Sequence, residues 1–434
     1  MHPLSFTRRQ ITLIRLGGLP ALRRKVRLSL ILVLKTVLVL PLYFLSVPAT
    51  GLLRILRPLI LIRIGDLNGS RIGHCAANTE CYLCERHSGI NVPSVRYVDL
   101  FFVRKPICNQ HLVTMWKRIL HIWPRWILIP IKTTNRLLPG WEVHEVGDNA
   151  QFDRDVHNLL DRRVPHLTFT EGEIDRGERG LRAMGIPCGA DFVCLLVRDS
   201  GYLSKHLPGE DMTYHDYRDG DIDSFGQAAD ELASRGYYVV RMGVGVRRAM
   251  QCSHRRIIDY ACDGLRNDFM DIYLGAKCRF CISTGAGWDA VPTWLFRKPA
   301  VFVGLLPLGY LPTYSDKFLV TTKRHLDSQS NLELGLSEIF KRGTGLCLST
   351  SEYKSKNVRL IHNTAEEIRD VVLEMVDRLN GTWKSQTEDE VLQKRFWDLF
   401  PKGAVDVRRG TPLHGEIRAC FSATYLRNNQ EWLQ

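Results

Sequence analysis

Residues 191–197 read Asp-Phe-Val-Cys-Leu-Leu-Val, and this apolar run indicates the fold class of the chain. Its length and its β-branched and aromatic content are typical of a buried strand. A helical pattern follows over residues 221–234, and a second apolar run at 237–241 predicts another strand. Strand and helix patterns then recur at residues 256–277 (helix), 280–282 (strand) and 300–303 (strand). This alternation predicts an α/β fold with a parallel, doubly wound sheet.

A second sheet is predicted earlier in the chain. The apolar run at residues 59–64 predicts its first strand, and the glycine-containing loop 65–74 follows directly. Such a loop lies at the carboxyl edge of a parallel sheet, where open α/β folds bind their ligands. Two helices with capping boxes are predicted near the C-terminus, beginning at Thr364 and Thr387. The predicted boundaries divide the chain into residues 1–57, 58–187, 188–360 and 361–434.

Positive charge is concentrated at the N-terminus. The chain has 59 Lys and Arg against 46 Asp and Glu, a net charge of +13. Eleven of the basic residues and no acidic residue lie in residues 1–63, which leaves 48 basic against 46 acidic residues in the remainder. Basic charge beside Leu-rich sequence is typical of contact with an anionic membrane surface. Because a nucleic-acid-binding protein carries its basic residues on the folded body, we expect no nucleic-acid partner.

The apolar run at residues 28–47 leaves several membrane arrangements open. Lys35 and Pro41 weaken a full span, and the run is long for a cleaved signal peptide. A re-entrant or in-plane helix bent at Pro41 keeps the body on the cytoplasmic side, and a helix buried in a soluble core is the remaining alternative. Twelve scattered cysteines favour a reducing compartment. We therefore predict a peripheral or re-entrant anchor on the cytoplasmic face of the inner membrane.

Four of the cysteines allow a metal alternative. Cys75, Cys81, Cys84 and Cys108 could gather around zinc, but the closed spacing of two CxxC pairs is missing. A nucleotide-binding GxGxxG motif and a phosphate-binding Walker A motif are also missing. We therefore predict reduced thiols in place of a zinc site, neither a dinucleotide enzyme nor a kinase, and no cofactor.

The best candidate for a binding site is the segment Ser283-Thr-Gly-Ala-Gly287. Small residues between a strand and a helix let backbone N–H groups approach an anion, and the helix N-terminus adds partial positive charge. The alternative is a plain turn. Arginines at two strand ends and one in the loop 214–218 could complete a clamp for a diphosphate, although surface ion pairing is their common role. The predicted diphosphate-binding residues are Arg198, Arg218, Arg241, Ser283, Thr284, Gly285 and Gly287.

The loop 65–74 is the candidate for the second half of a site. Asp66 and His74 are suited to orienting or deprotonating a hydroxyl group, and we predict them as catalytic residues. For Asp66, a purely structural role in the turn is an equal alternative. Gly65, Ser70 and Arg71 are predicted to line the acceptor side.

Three separated motifs resemble a bacterial family of glycosyltransferases over about residues 60–320. They are Arg63-Ile-Gly…Ser70-Arg-Ile-Gly-His74, Tyr214-His-Asp-Tyr-Arg218 and Phe280-Cys-Ile-Ser-Thr-Gly…Asp289-Ala-Val-Pro292. The C-terminal part is similar, more distantly, to heptosyltransferases and α-1,6-fucosyltransferases. The resemblance implies GT-B architecture, with two Rossmann-like domains facing a cleft and no metal requirement. It implies that residues 58–187 bind the acceptor and that residues 188–360 bind the nucleotide sugar.

The resemblance also implies a function. It is that of a membrane-associated glycosyltransferase that moves a sugar from a nucleotide-sugar donor to a glycan or lipid-linked acceptor in bacterial surface polysaccharide synthesis. The chain departs from these patterns in two places. Leu196 stands where fucosyltransferases have a histidine, and Trp288 or Asp289 stands where heptosyltransferases favour a histidine. The donor sugar of neither family can therefore be assigned to this chain. Two alternatives remain, a pyruvyl or phosphoryl transferase on the same fold and a non-catalytic, membrane-bound nucleotide-binding protein.

Overall fold

The computed structural model describes residues 23, 26–27, 40–147, 154–201, 213–251, 254–406 and 409–434. Most of the predicted membrane-associating segment 1–57 lies outside these residues. The strands are β1 (Leu61–Leu67), β2 (Tyr97–Val103), β3 (His121–Ile122), β4 (Phe192–Leu196), β5 (Tyr238–Arg241), β6 (Ile257–Ile258), β7 (Cys281–Ser283), β8 (Ala300–Phe302), β9 (Phe318–Val320), β10 (Arg324–Asp327), β11 (Val358–Ile361) and β12 (Cys420–Phe421). The helices are α1 (residues 40–55), α2 (Ile72–His87), α3 (Gln110–Trp116), α4 (Arg125–Asn135), α5 (Glu171–Ala183), α6 (Gly226–Ser234), α7 (Asp268–Lys277), α8 (Leu336–Lys341), α9 (Thr350–Ser355), α10 (Ala365–Asn380), α11 (Thr387–Leu399) and α12 (Ala423–Asn428).

Contacts divide the chain into two compact units. The first comprises the described residues up to 66 together with 93–102 and 121–146. The second comprises residues 67–92, 103–120 and the described residues from 147 onward. This division differs from the boundaries predicted at residues 57, 187 and 360, which stay predictions.

The first unit is built on a sheet of three strands in the order β1-β2-β3. Its apolar core brings Leu53 of α1 and Leu128 of α4 together with Ile64 and Phe102 of the sheet. Strand β1 extends through Gly65 and Asp66, so the prediction that these two residues begin a loop was wrong. Since a Cβ atom at residue 65 would lie 2.5 Å from the Phe101 ring, only glycine fits at this position in the strand.

The second unit contains a seven-stranded sheet in the order β12-β9-β8-β7-β4-β5-β6. Every neighbouring pair in it is parallel. The chain begins in the middle at β4, builds β5 and β6 on one side, and then returns to build β7, β8, β9 and β12 on the other. This confirms the α/β class and the predicted parallel, doubly wound sheet. The strand order reverses between β4 and β7, which is where open α/β sheets bind ligands.

Alternate side chains of β4 face opposite sides of the sheet, as the period of a strand requires. Val193 and Leu195 pack in the apolar core with Leu232 of α6 and Val372 of α10. On the other face, the Cys194 thiol lies 3.7 Å from the backbone oxygen of Leu274 in α7. The sheet is therefore covered by helices on both faces, and its carboxyl edge is left for a site.

Two predicted helices differ in extent from those observed. Of residues 256–277, only Asp268–Lys277 is helical, because the Asn267 side chain accepts a hydrogen bond from Met270 N–H and begins the helix there. Residues 257–258 instead form β6. The helix predicted at 221–234 begins as a 3-10 helix over Ile222–Phe225.

The predicted caps of the C-terminal helices have different outcomes. The capping box of Thr364 and Glu367 is confirmed, as is the end of α10 at Gly381, whose φ is +70°. Helix α11 is capped by Gln386 with Asp389 rather than by Thr387 with Glu390. None of the described helices is both long enough and apolar enough to cross a bilayer. All the cysteines in the described ranges are free thiols.

Candidate functional site

The candidate site lies at the carboxyl edge of the seven-stranded sheet, where β4 and β7 end side by side. The backbone N–H of Arg198, just after β4, donates a hydrogen bond of 2.8 Å to Thr284 Oγ1, just after β7. Gly220 N–H donates in turn to the Arg198 carbonyl oxygen at 2.9 Å. These bonds tie three chain segments together at the point where the strand order reverses.

The predicted turn Ser283–Gly287 is stabilised by hydrogen bonds of its own Ser283 side chain. The buried Ser283 hydroxyl donates to Asp289 Oδ2 at 2.7 Å and accepts the N–H of Gly285 at 3.0 Å. Gly285 has a φ of +80°, and a Cβ atom there would lie 2.4 Å from Leu305 Cδ1. The Ser283 hydroxyl therefore shapes the turn and does not point a free donor at a ligand.

The segment after the turn is less regular than predicted. It forms a 3-10 helix over Gly287–Asp289 and then a π-helical turn over Val291–Leu295. Because few peptide dipoles align in such short segments, the partial positive charge of a long helix N-terminus is reduced here. Asp289 lies within this segment, and burial raises the pKa of its carboxyl group to about 6. Positive charge at this edge must come mainly from side chains.

Arg218 and Lys323 supply that charge. A guanidinium nitrogen of Arg218 donates to the Gly285 carbonyl oxygen, and its Nε has no hydrogen-bond partner in the described part of the chain. The buried Lys323 ammonium donates to the carbonyl oxygens of Tyr217 at 2.9 Å and Asp219 at 2.6 Å. Within the described ranges, no carboxylate lies within 4.0 Å of either cation. Two cations without a paired carboxylate favour an anionic ligand.

Sequence reasoning missed Lys323, although a signal was present. The residue follows the apolar strand β9 by three positions, as Arg198 follows β4 by two. Burial lowers the pKa of Lys323 to about 8, although the neighbouring Asp219 acts in the opposite direction. The ammonium form is therefore present at neutral pH. The strand-end rule that singled out Arg198 would also have singled out Lys323.

The other two predicted arginines are engaged by carboxylates. Arg198 forms an ion pair with Asp219, and its Nη1 donates to the His215 carbonyl oxygen at 3.2 Å. Arg241 is only 1% exposed, and its Nη1 lies 2.9 Å from Asp259 Oδ2. Arg198 therefore stabilises the loop that carries Arg218. Arg241 is instead buried at the sheet edge in an ion pair with Asp259.

The predicted acceptor-side residues are divided between the two units. In the first, Asp66 is buried with its Oδ1 3.2 Å from Lys132 Nζ, and Gly65 lies in β1. In the second, the Ser70 hydroxyl donates to Asn68 Oδ1 at 2.8 Å, and Arg71 is exposed at the start of α2.

His74 lies beside the predicted turn. Its Nδ1 is 3.3 Å from Asn78 Oδ1 in the next turn of α2. A Cβ atom on the preceding Gly73 would lie 2.8 Å from both Cα and the carbonyl oxygen of Gly287. The structure therefore brings the beginning of α2, which carries His74, into backbone contact with the end of the turn.

One group of side chains in the described residues has the geometry of a metal site, formed by Glu80, Cys84 and His166. Arg297 Nη2 already lies 2.6 Å from Glu80 Oε1, and His166 Nδ1 lies 2.9 Å from the same oxygen. Burial raises the pKa of Cys84 to about 12, which disfavours the thiolate that binds metals. A guanidinium at this distance repels a cation, so the group is better explained as a buried ion pair.

The sequence matches no protein-family model, and no curated protein is significantly similar to it. Among solved structures, ADP-heptose lps heptosyltransferase II of E. coli is similar at 14% identity over 61% of this chain and 90% of that chain, with a TM-score of 0.38. A family 9 glycosyl transferase from Veillonella parvula DSM 2008 is similar at 11% identity over 60% of this chain and 86% of that chain, with a TM-score of 0.39. Heptosyltransferase WaaC of E. coli, solved with ADP-2-deoxy-2-fluoro heptose, gives 11% identity, 60% and 93% coverage and a TM-score of 0.30. Similarity at these TM-scores does not assign a function to the chain. The resemblance to fucosyltransferases stays a prediction.

Proposed function

We propose that the chain is a transferase that moves a sugar from a nucleotide-sugar donor to a hydroxyl group of an acceptor. The observation that carries the proposal is the pair of cations at the reversal of strand order. Arg218 and Lys323 lie around the Thr284–Gly285 turn with no carboxylate of the described residues within 4.0 Å. A diphosphate is the anion that such an edge of an α/β sheet commonly binds.

The proposed chemistry follows from the charges. The bond between the anomeric carbon and the diphosphate oxygen breaks, and the departing diphosphate keeps the electron pair. Arg218 and Lys323 stabilise this developing negative charge, which is the role of preorganised cations in a site from which water is excluded. The new bond forms between the anomeric carbon and the acceptor oxygen, whose proton passes to a base.

We propose His74 as that base. Its Nδ1 contacts Asn78, so Nε2 is the nitrogen that takes the acceptor proton. Asp66 stays a second candidate, although its contact with Lys132 favours a structural role. The leaving group is stabilised by side chains in this scheme, and we propose that the reaction needs no metal.

The finer assignments are also proposals. We propose GT-B architecture, a glycan or lipid-linked acceptor, a role in bacterial surface polysaccharide synthesis, and a place on the cytoplasmic face of the inner membrane. The basic, acid-free residues 1–63 support the membrane association.

Calorimetry with UDP, GDP and ADP on the purified full chain tests the proposal. We expect one of the three to bind, and the matching nucleotide sugars to be consumed with release of the same nucleoside diphosphate. A pyruvyl or phosphoryl transferase would leave the nucleotide sugar intact. A non-catalytic protein would bind the nucleotide without turnover in the presence of membrane extracts that contain the acceptor. Binding of none of the three would contradict the proposed donor site.

A further inference from the structure

Helix α1 exposes most of its large apolar side chains, although Leu53 is buried in the core. Leu40, Phe44, Leu45, Val47, Leu52 and Ile55 are between 52% and 75% exposed. At 3.6 residues per turn, these positions fall on one side of the helix, about 160° wide. A helix on the surface of a soluble domain shows the opposite pattern, with its apolar side turned to the core. We call these six side chains the outward face of α1.

The inward side of α1 carries polar groups beside the buried Leu53. The Ser46 and Thr134 hydroxyls share a hydrogen bond of 2.6 Å, and Thr50 Oγ1 donates to the Ile131 carbonyl oxygen at 3.4 Å. Arg54 Nη1 donates to Asn135 Oδ1 at 2.9 Å. All three contacts are with α4 and lie within the first unit. They hold α1 against the folded body, so the outward face is part of the body's surface.

The basic sequence next to α1 favours an anionic surface as the partner of this face. Residues 1–63 contain eleven basic and no acidic residues, and Arg57, just beyond α1, is exposed. The same unit exposes Trp123 and Trp126 at the beginning of α4. Tryptophan is enriched at membrane interfaces, and basic residues beside apolar ones favour anionic lipid headgroups. A protein partner of similar hydrophobicity would not require a segment free of acidic residues.

We propose that the outward face of α1 docks in the plane of an anionic lipid bilayer, with its apolar side chains among the acyl chains. The proposal rests on the membrane association proposed above and specifies the surface that produces it. It differs from an anchor made only by residues before 40, because it places the membrane against the folded body. The site at the sheet edge plays no part in it.

Vesicle sedimentation with the full chain tests the proposal. The vesicles are phosphatidylcholine with or without phosphatidylglycerol. We expect binding that requires phosphatidylglycerol, and at least a tenfold loss of partitioning in the double variant Phe44→Ser/Ile55→Ser. The matched control is Leu332→Ser/Val391→Ser, which removes two apolar side chains that are 69% and 66% exposed in the second unit. The control should bind like the unchanged chain. All three proteins should unfold at the same temperature, because only exposed side chains are replaced.

Each of the other possible outcomes contradicts a different part of the proposal. If the unchanged chain binds no vesicles, membrane association itself fails, whereas nucleotide binding is unaffected. If the chain binds and the Phe44→Ser/Ile55→Ser variant binds equally well, residues before 40 make the contact and the docking face is wrong. If that variant loses self-association in sedimentation velocity but keeps vesicle binding, the face is an interface between two copies.

Discussion

Replacing Arg218 by methionine tests the candidate donor site most directly. Methionine keeps the apolar stem of the arginine and removes the guanidinium, one nitrogen of which donates to Gly285 O. A charge-assisted hydrogen bond to a phosphate contributes about 1.5–3 kcal/mol. At 1.4 kcal/mol per decade, the nucleoside diphosphate should bind about ten- to a hundredfold more weakly. The lost bond to Gly285 O is also charge-assisted and should lower the free energy of unfolding by about 1.5–3 kcal/mol. Since a typical domain is stable by about 5–15 kcal/mol, the variant should fold.

The assay is calorimetry with whichever of UDP, GDP and ADP binds the unchanged chain. Arg235→Met is the matched control, since it removes the same charge from an exposed ion pair with Glu231. Arg235 precedes β5 and therefore lies at the amino edge of the sheet, opposite the candidate site. The control should bind the nucleotide normally. An Arg218→Met protein that is folded by circular dichroism and binds within twofold of the unchanged chain would refute the assignment of the diphosphate to this edge.

Three further predictions concern the turn, the lysine and α1. Gly285→Ala should cost at least about 1–2 kcal/mol of stability and weaken nucleotide binding, because residue 285 has a left-handed backbone and a Cβ atom there would meet Leu305. Gly189→Ala is the control, since residue 189 is also left-handed but has open space around it. The control should lose stability in denaturant titrations and bind the nucleotide with unchanged affinity. Because Lys323 has a pKa of about 8, the charge that attracts the diphosphate is complete at low pH and is lost as pH rises. Calorimetric affinity should therefore fall by about tenfold between pH 7 and pH 9, and a profile equally steep in Lys323→Met would contradict this role. Deleting residues 1–57 should lower the free energy of unfolding by more than about 2 kcal/mol relative to deleting residues 1–39, since the longer deletion also removes the buried Leu53. Equal stability of the two truncations in denaturant titrations would show that α1 does not pack as described.

Four strands of the second unit's sheet, β4, β5, β7 and β8, could be predicted from sequence because they are short apolar runs separated by polar loops. The outer strands β6, β9 and β12 were not predicted. Strand β6 was missed because two residues give no periodicity, and the helical pattern around them dominated. The extension of β1 through Gly65 was missed for a different reason. Glycine normally indicates a turn, and here its missing side chain instead makes room for the Phe101 ring in a neighbouring strand.

The candidate site could be predicted only in part. The turn Ser283–Gly287 was identifiable because small residues follow a strand, but the partners of its hydroxyl groups are set by local geometry. The role of Lys323 depends on carbonyl groups more than a hundred residues earlier in the chain, at Tyr217 and Asp219. The pairing of Arg241 with Asp259 likewise depends on the loop between them. Strand-end position indicates where a charge lies but not which partner neutralises it.

The backbone contact between Gly73 and Gly287 restricts the two positions unequally during evolution. A Cβ atom at residue 73 would meet backbone atoms at 2.8 Å, and the beginning of α2 would have to move away from the turn. A Cβ atom at residue 287 would lie 3.3 Å from Gly73 N, which a shift of a few tenths of an ångström relieves. Relatives that keep this contact should therefore tolerate alanine or serine at the second position while retaining glycine at the first. The pair would then show little covariation despite its direct contact, since one of its two members does not vary.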